Sequence, residues 1–154
     1  MATGTGQRVD ELAQDLFEVV TQVCLSAQRG RRRGVDLKEV EYLTLTILQG
    51  RGTMIVGDIQ RLLGVLPAQM SRIIRALENR DRPLIACRIN SRDKRKIDVC
   101  LTPAGEKALM DYRDASVSRI VEHLRHLSEE DQDDLTRSLD KLTAILGRPA
   151  ATPA

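Results

Sequence analysis

Apolar positions recur along this chain with the spacing of helices, and over one short stretch with the spacing of strands. In residues 67–79 they fall at i, i+3, i+4 and i+7, namely Met70, Ile73, Ile74 and Leu77. That spacing predicts a helix with one aliphatic stripe. At about 100° per residue, the remaining surface of this helix carries small and polar side chains, which are Ala68, Gln69, Ser71, Arg72 and Arg75.

Similar stripes predict five further helices, at about 9–27, 36–49, 56–63, 103–126 and 128–146. Asp36 with Glu39, Thr102 before Pro103, and Ser128 supply helix start signals. Glycines at 50, 52 and 64 supply stop signals. We expect residues 1–8 to be a loose terminus and residues 147–154 to be a tail rich in Pro and Ala. Residues 29–34, which combine arginines with two glycines, are expected to form either a solvated connection or a phosphate contact.

Residues 84–88 and 97–101 predict two short strands joined by a polar, basic segment. If the residue numbers of facing pairs sum to 186, Arg88 lies opposite Asp98 as a favourable cross-strand pair. One face of the hairpin then carries only apolar side chains and a cysteine thiol. The tip carries Arg92, Lys94, Arg95 and Lys96 against the single acid Asp93. The prediction is therefore a mainly α protein with a small antiparallel wing of two or three strands.

A helix-turn-helix followed by a hairpin with a cationic tip is typical of a winged helix, in which the second helix enters the major groove of DNA. The planar guanidinium of Arg72 suits a guanine edge or a phosphate. Taken alone, the pattern slightly favours an ordinary amphipathic helix whose basic face is solvated. The net charge of +2 is uninformative, but residues 51–100 hold 11 Lys/Arg against 5 Asp/Glu, while both flanking segments are net acidic. This concentration favours a nucleic-acid footprint.

Three motifs carry a family resemblance: Ile59-x-x-Leu62-Leu63-Gly64-Val65, Ser71-Arg72-x-Ile74-x-x-Leu77-Glu78 and Asp93-Lys94-Arg95-(x)5-Leu101-Thr102-x-x-Gly105. On these motifs the chain resembles the MarR family of bacterial transcriptional regulators. The last motif, a wing tip followed by Leu-Thr and a nearby Gly, is the most specific. The resemblance implies residues 36–102 as a winged helix-turn-helix, and residues 9–30 and 103–146 as dimerisation helices.

The resemblance also implies roles at the DNA. Arg95 occupies the wing position of the family's Asp-x-Arg, and Asp93 orients that arginine because an acid beside phosphate is repelled. Arg92, Lys94 and Lys96 are expected to contact phosphates. On the helix, we expect Gln69 and Arg72 to read base edges, Ala68 to meet a thymine methyl, and Ser71 and Arg75 to contact the backbone.

The terminal helices carry more apolar surface than a small winged helix needs to bury. The stripe Leu135, Leu139, Leu142 and Leu146, together with Leu12 and Leu16, is therefore predicted to lie in a homodimer interface, with purely intramolecular packing as the alternative. A two-fold dimer matches a palindromic operator. The resemblance implies steric repression, relieved by an effector that changes the spacing of the recognition helices.

Other chemistries receive less support. Cys24, Cys87 and Cys100 are expected to be inert, with redox sensing as the open alternative, and Cys87 and Cys100 should not bridge because they lie on opposite sheet faces. His123 and His126, at i, i+3 on a predicted helix, are too few for a metal site. No phosphate loop or catalytic triad is present, so we predict no enzyme and no cofactor.

The sequence has no membrane-length apolar run and no signal pattern, so we expect a soluble cytoplasmic protein. The predicted function is a sequence-specific regulator binding double-stranded DNA. An unidentified effector, either a small molecule or an oxidant, and the absence of any effector are both left open by the sequence. Two other functions remain open: a winged-helix module for protein–protein assembly, and an effector-binding protein with vestigial DNA affinity.

Overall fold

The computed structural model describes residues 3–29 and 36–147, and the side chains of residues 6–25 and 36–147. These residues form six helices and one three-stranded sheet. In chain order the elements are α1 Thr3–Arg29, α2 Glu39–Arg51, β1 Met54–Ile55, α3 Val56–Leu63, α4 Pro67–Glu78, β2 Ile85–Ile89, β3 Ile97–Leu101, α5 Pro103–Leu124 and α6 Glu129–Leu146. The prediction of a mainly α protein with a small antiparallel wing is confirmed.

The chain divides into two compact units, residues 1–36 and 37–154. The first unit contains helix α1, which begins at Thr3 rather than near Val9. The predicted loose terminus is therefore wrong for residues 3–8. Gln7 donates a hydrogen bond to Glu11 four residues later, at 3.2 Å, a pairing that stabilises the first turns of a helix. Residues 30–35, with most of the arginine-rich connection, lie outside the described residues.

Helix α2 begins three residues later than its predicted start. Lys38, not Asp36, is the cap residue, and its backbone N–H donates to the Glu41 carboxylate at 3.0 Å. The same carboxylate oxygen accepts from the Arg80 guanidinium at 3.0 Å, and Glu41 is only 3% exposed. The predicted helix start at Asp36 with Glu39 is therefore wrong: Glu41 holds the position three residues after the cap, and its carboxylate also pairs with Arg80 from across the fold.

The core of the second unit is aliphatic. The stripe of α4 is buried at Met70, Ile73 and Leu77, and α4 packs on β2 and α2. Its partners in the core include Leu45, Leu48, Ile59, Ile85 and Val99, each at most 1% exposed. Because the inner side of α4 is fixed in this way, its polar side is turned to solvent.

The sheet has the order β1-β3-β2 with both pairings antiparallel. The predicted register is confirmed, including Arg88 opposite Asp98, although β2 starts and ends one residue later than predicted. Strand β1 was not predicted from the sequence. Its two residues are too few to show alternation, and only their pairing with Val99 and Asp98 makes them a strand.

The Leu-Thr-x-x-Gly motif joins the wing to helix α5. The hydroxyl of Thr102 accepts from the Gly105 N–H at 3.0 Å, which caps the helix as predicted, and donates to the Pro83 carbonyl at 2.6 Å. Leu84 closes the junction, since its carbonyl accepts from the Thr102 N–H at 3.1 Å. A Cβ on Gly105 would overlap that carbonyl oxygen, so only glycine fits between helix and strand.

Helix α6 starts as predicted, with the Ser128 hydroxyl accepting from the Asp131 N–H at 3.1 Å. None of its 18 residues is buried. Among the described residues, no helix has the length and apolar character needed to cross a membrane.

Two of the three cysteines lie in the sheet. Cys87 pairs with Val99 and Cys100 with Ala86, so the two thiols point to opposite faces and are free, as predicted. Burial and the nearby carboxylate of Glu78 raise the pKa of the Cys87 thiol to about 11. Since the thiolate is the reactive form, Cys87 is poorly suited to sense oxidants. Cys24 on α1 is exposed.

We expect Gly105→Ala to lower the free energy of unfolding by about 2 kcal/mol, because the new methyl group forces the Leu84 carbonyl away from the Thr102 N–H. Urea denaturation followed by circular dichroism measures this. Gly57→Ala in α3 is the matched control, since a Cβ there meets nothing within 4 Å, and it should leave stability unchanged or slightly raised. Equal stability of the two variants would contradict this account of the junction.

We expect Cys87 to resist alkylation at neutral pH. With the pKa of this thiol at about 11 rather than 9.0, its thiolate fraction near pH 7 is lower by roughly a hundredfold. The rate should rise tenfold per pH unit and level off only near pH 11. Site-resolved mass spectrometry after timed iodoacetamide pulses measures it, and a rate that levels off near pH 9 would show that Glu78 and burial do not govern this thiol.

Candidate nucleic-acid interface

The turn before α4 fixes where this helix begins. Gly64 ends α3 in the left-handed conformation, with φ +65°, and its N–H bonds to the carbonyl of Gln60. Pro67 then opens α4, as predicted, with Leu66 at the cap. The Leu66 side chain supplies no capping hydrogen bond, so backbone donors of the first turn are left open toward solvent.

The structure places all five predicted recognition-helix residues on the exposed side of α4. These are Ala68, Gln69, Ser71, Arg72 and Arg75. Two guanidiniums and two polar side chains thus share the surface opposite the buried stripe. Such a surface offers both hydrogen-bond donors and acceptors to base edges and positive charge to phosphates.

The far end of α4 is held by a contact that the sequence did not reveal. Arg80 follows the helix, donates to the carbonyl of Ala76, and forms the ion pair with the buried Glu41 of α2 described above. This pair ties the end of α4 to the core. Its two members are 39 residues apart in sequence, and no local pattern links them.

The wing tip is organised by Asn90, a residue that we did not single out from the sequence. Its side-chain oxygen accepts from the backbone N–H groups of Arg92 and Asp93, both at 2.9 Å. Its side-chain nitrogen donates to Asp98 at 2.8 Å, and its backbone N–H donates to the carbonyl of Lys96 at 2.9 Å. Asparagine at the start of a turn is a recognised signal for such a loop.

Both acids of the hairpin are engaged by the hairpin itself. Asp93 accepts from the backbone N–H of Arg95 at 3.1 Å and lies 3.7 Å from the Lys96 ammonium. It therefore shapes the loop through the backbone of Arg95, whereas we had predicted that it orients the arginine itself. Asp98 accepts from Asn90. The tip consequently presents four exposed cations outward: Arg92, Lys94, Arg95 and Lys96.

The residues predicted to form a dimer interface are distributed over both units. Leu12 and Leu16 belong to α1, with Leu12 exposed and Leu16 half-buried. On α6, Leu135 and Leu142 are half-buried and Leu139 and Leu146 exposed. Their role in an interface stays a prediction.

The sequence pattern predicted that His123 and His126 lie on one helix, and this prediction is wrong. Helix α5 ends at Leu124, so His123 is in its last turn and His126 follows it. Within the described part of the chain, no cluster of three or more metal-binding side chains occurs.

Comparison with known proteins bears on this geometry. The model of the MarR family matches residues 37–97, which run from the residue before the α2 cap to the start of β3. No match was found among curated proteins. Three solved structures show the same fold over most of both chains. The YusO protein of Bacillus subtilis is 23% identical with a TM-score of 0.66, and the match covers 94% of this chain and 98% of that one.

MepR of Staphylococcus aureus, a transcription regulator of the multidrug efflux pump MepA, is 21% identical with a TM-score of 0.68, over 85% of this chain and 96% of its own. A variant of MepR bound to an oligodeoxyribonucleotide is 20% identical with a TM-score of 0.61, over 87% and 97%. These likenesses establish the fold. The family match covers the segment that carries the helix-turn-helix and the wing tip, so the resemblance seen in the sequence is confirmed: residues 37–97 of this chain match the model of the MarR family.

Proposed function

We propose that this protein is a homodimeric, sequence-specific DNA-binding regulator that represses transcription from a palindromic operator. The observation that carries the proposal is the coincidence of two cationic surfaces on one folded unit. These are the exposed side of α4 and the wing tip, in which both acids are occupied internally. A surface of this kind is electrostatically complementary to phosphates.

The two surfaces are suited to different tasks. Gln69 and Arg72 are exposed on the first turns of α4, whose far end is tied to the core by the Arg80–Glu41 pair, and in this proposal they read base edges. Ala68 would contact a thymine methyl, and Ser71 and Arg75 the backbone. The wing cations, with Arg95 foremost, would hold phosphates or enter the minor groove.

The comparisons support this proposal at the level of the fold and the family. MepR is a transcription regulator, and a MepR variant was solved with an oligodeoxyribonucleotide bound. A MarR family match over the winged-helix region of this chain makes DNA the expected partner of the same surface.

Helix α6 supports the dimer. It carries apolar side chains yet buries none of its residues, and Ile145 and Leu146 are 78% and 77% exposed. The second half of α5 likewise exposes Val117 and Ile120. Exposed apolar side chains in this number on a folded protein are typical of an interaction site. A second copy is the simplest occupant, because two-fold pairing also provides two recognition helices for a palindrome.

Relief by a small molecule or an oxidant, which the family resemblance implies, stays a prediction. A thermal-shift screen of metabolites and peroxides addresses it. The protein–protein assembly module remains the competing function, and it predicts no steep loss of DNA affinity with salt.

Gel shifts on genomic fragments over a salt series test the proposal. We expect Arg72→Ala to reduce discrimination between a bound fragment and a scrambled duplex by roughly tenfold, because a base contact is lost. Arg95→Ala should weaken binding to both duplexes alike and lower the salt slope by about one per subunit, because a phosphate contact is lost.

Arg137→Ala is the matched control, since this exposed arginine of α6 pairs with Asp134 on its own helix. It should leave both duplex affinities unchanged. Identical effects of Arg72→Ala and Arg95→Ala on specific and scrambled duplexes would contradict the division of labour between helix and wing.

We expect Leu142→Glu to convert a dimer of the 17.2 kDa chain into a monomer, because a charge would be buried in the paired apolar surface. Light scattering after size-exclusion chromatography measures the mass. Ala144→Glu, exposed and on the opposite side of α6, introduces the same charge and should preserve the dimer. A wild-type chain that is monomeric at micromolar concentration would contradict the proposed dimer.

A further inference from the structure

Two isoleucines lie exposed beside the cationic tip of the wing. Ile89 ends β2 and Ile97 begins β3, and the two are paired across the hairpin. Ile89 is 71% exposed and Ile97 is 44% exposed. They lie on the same face of the sheet as Ile85 and Val99, which are at most 1% exposed because that end of the face packs on the core. The wing therefore carries an apolar pair for which the folding of its own hairpin provides little cover.

The charges around this pair restrict what can cover it. Four cations surround the tip, while Asp93 and Asp98 are held by hydrogen bonds within the hairpin. Two wings of this kind repel each other, so the same surface on a second copy is a poor partner. A polyanion is attracted, and among polyanions duplex DNA also offers apolar surface, on the deoxyribose rings that line its minor groove.

The position of the pair along the hairpin fits that occupant. Ile89 directly precedes Asn90, the first residue of the loop, and Ile97 directly follows Lys96, the last. One residue of strand spans about 3.3 Å, and the minor groove is about 7.5 Å deep. A loop that enters the groove thus brings the pair to the groove walls, where the sugars lie.

We propose that the pair Ile89–Ile97 is an apolar DNA contact that seats the wing against deoxyribose in the minor groove. This inference rests on the proposed DNA-binding function and adds a component that phosphate neutralisation does not supply. Phosphate contacts release counterions and weaken steeply with salt, whereas an apolar contact does not. The wing accordingly makes two kinds of DNA contact: its cations contribute affinity that depends on salt, and its isoleucines contribute affinity that does not.

The test compares Ile89→Thr/Ile97→Thr with Ile89→Val/Ile97→Val. Threonine and valine are both β-branched and suit a strand, so the two variants differ chiefly in the polarity of the pair. The probe is a genomic duplex bound by the wild-type protein, titrated over a salt series. We expect the threonine variant to bind roughly tenfold more weakly at every salt concentration with an unchanged salt slope, and the valine variant to bind like the wild type.

Hydroxyl-radical footprinting on the same duplex gives a second readout, because these radicals attack deoxyribose from the minor groove. The wild-type wing should protect a short run of sugars, and the threonine variant should lose that protection while protection from α4 remains. The single variant Ile89→Thr, at the more exposed position, should lose part of it.

Wild-type affinity and an unchanged footprint for the threonine variant would overturn the proposal. A lowered salt slope for the threonine variant would also overturn it, because the loss of affinity would then come from displaced cations. A change of oligomeric state would overturn it as well, because the pair would then belong to a contact between subunits. Failure of the wild-type protein to bind any duplex is a different result, and it would remove the proposed function itself.

Discussion

The burial of one aliphatic stripe of α4 is the constraint on which the other features depend. Met70, Ile73 and Leu77 are at most 5% exposed, and they fix the rotation of the helix against α2 and β2. Turning a helix by one residue moves its side chains through about 100°, so this packing alone decides that Arg72 and Arg75 face solvent. The ion pair between Glu41 and Arg80 adds a fixed point beyond the end of the same helix.

The wing depends on a second fixed point. Thr102 and Gly105 hold the start of α5 against Leu84, so the hairpin leaves the core in one direction. Within the hairpin, Asn90 and Asp93 use their oxygens on backbone N–H groups of the tip. Asp98 in turn accepts from the Asn90 side chain, so both acids of the hairpin are used within it and the positive charge is left at the surface.

The sequence predicted those parts of the fold that depend on local periodicity. The stripe of α4, the register of Arg88 with Asp98 and the caps Thr102 and Ser128 all follow from spacing within a few residues. It did not predict β1, the true cap of α2 or the pair Glu41–Arg80, because each depends on residues brought together by folding. The exposure of Ile89 and Ile97 could not be predicted either, because alternation shows on which face a strand residue lies but not how far along the strand the core extends.

The central claim is that paired copies of this chain present two recognition helices and two wings to one DNA duplex. Selection of bound sequences from a random duplex pool tests it most directly. The account predicts an inverted repeat whose half-sites are centred about one helical turn, roughly 10 base pairs, or a small multiple of it, apart. Enrichment of a single unrepeated site, or of no sequence at all, would contradict it.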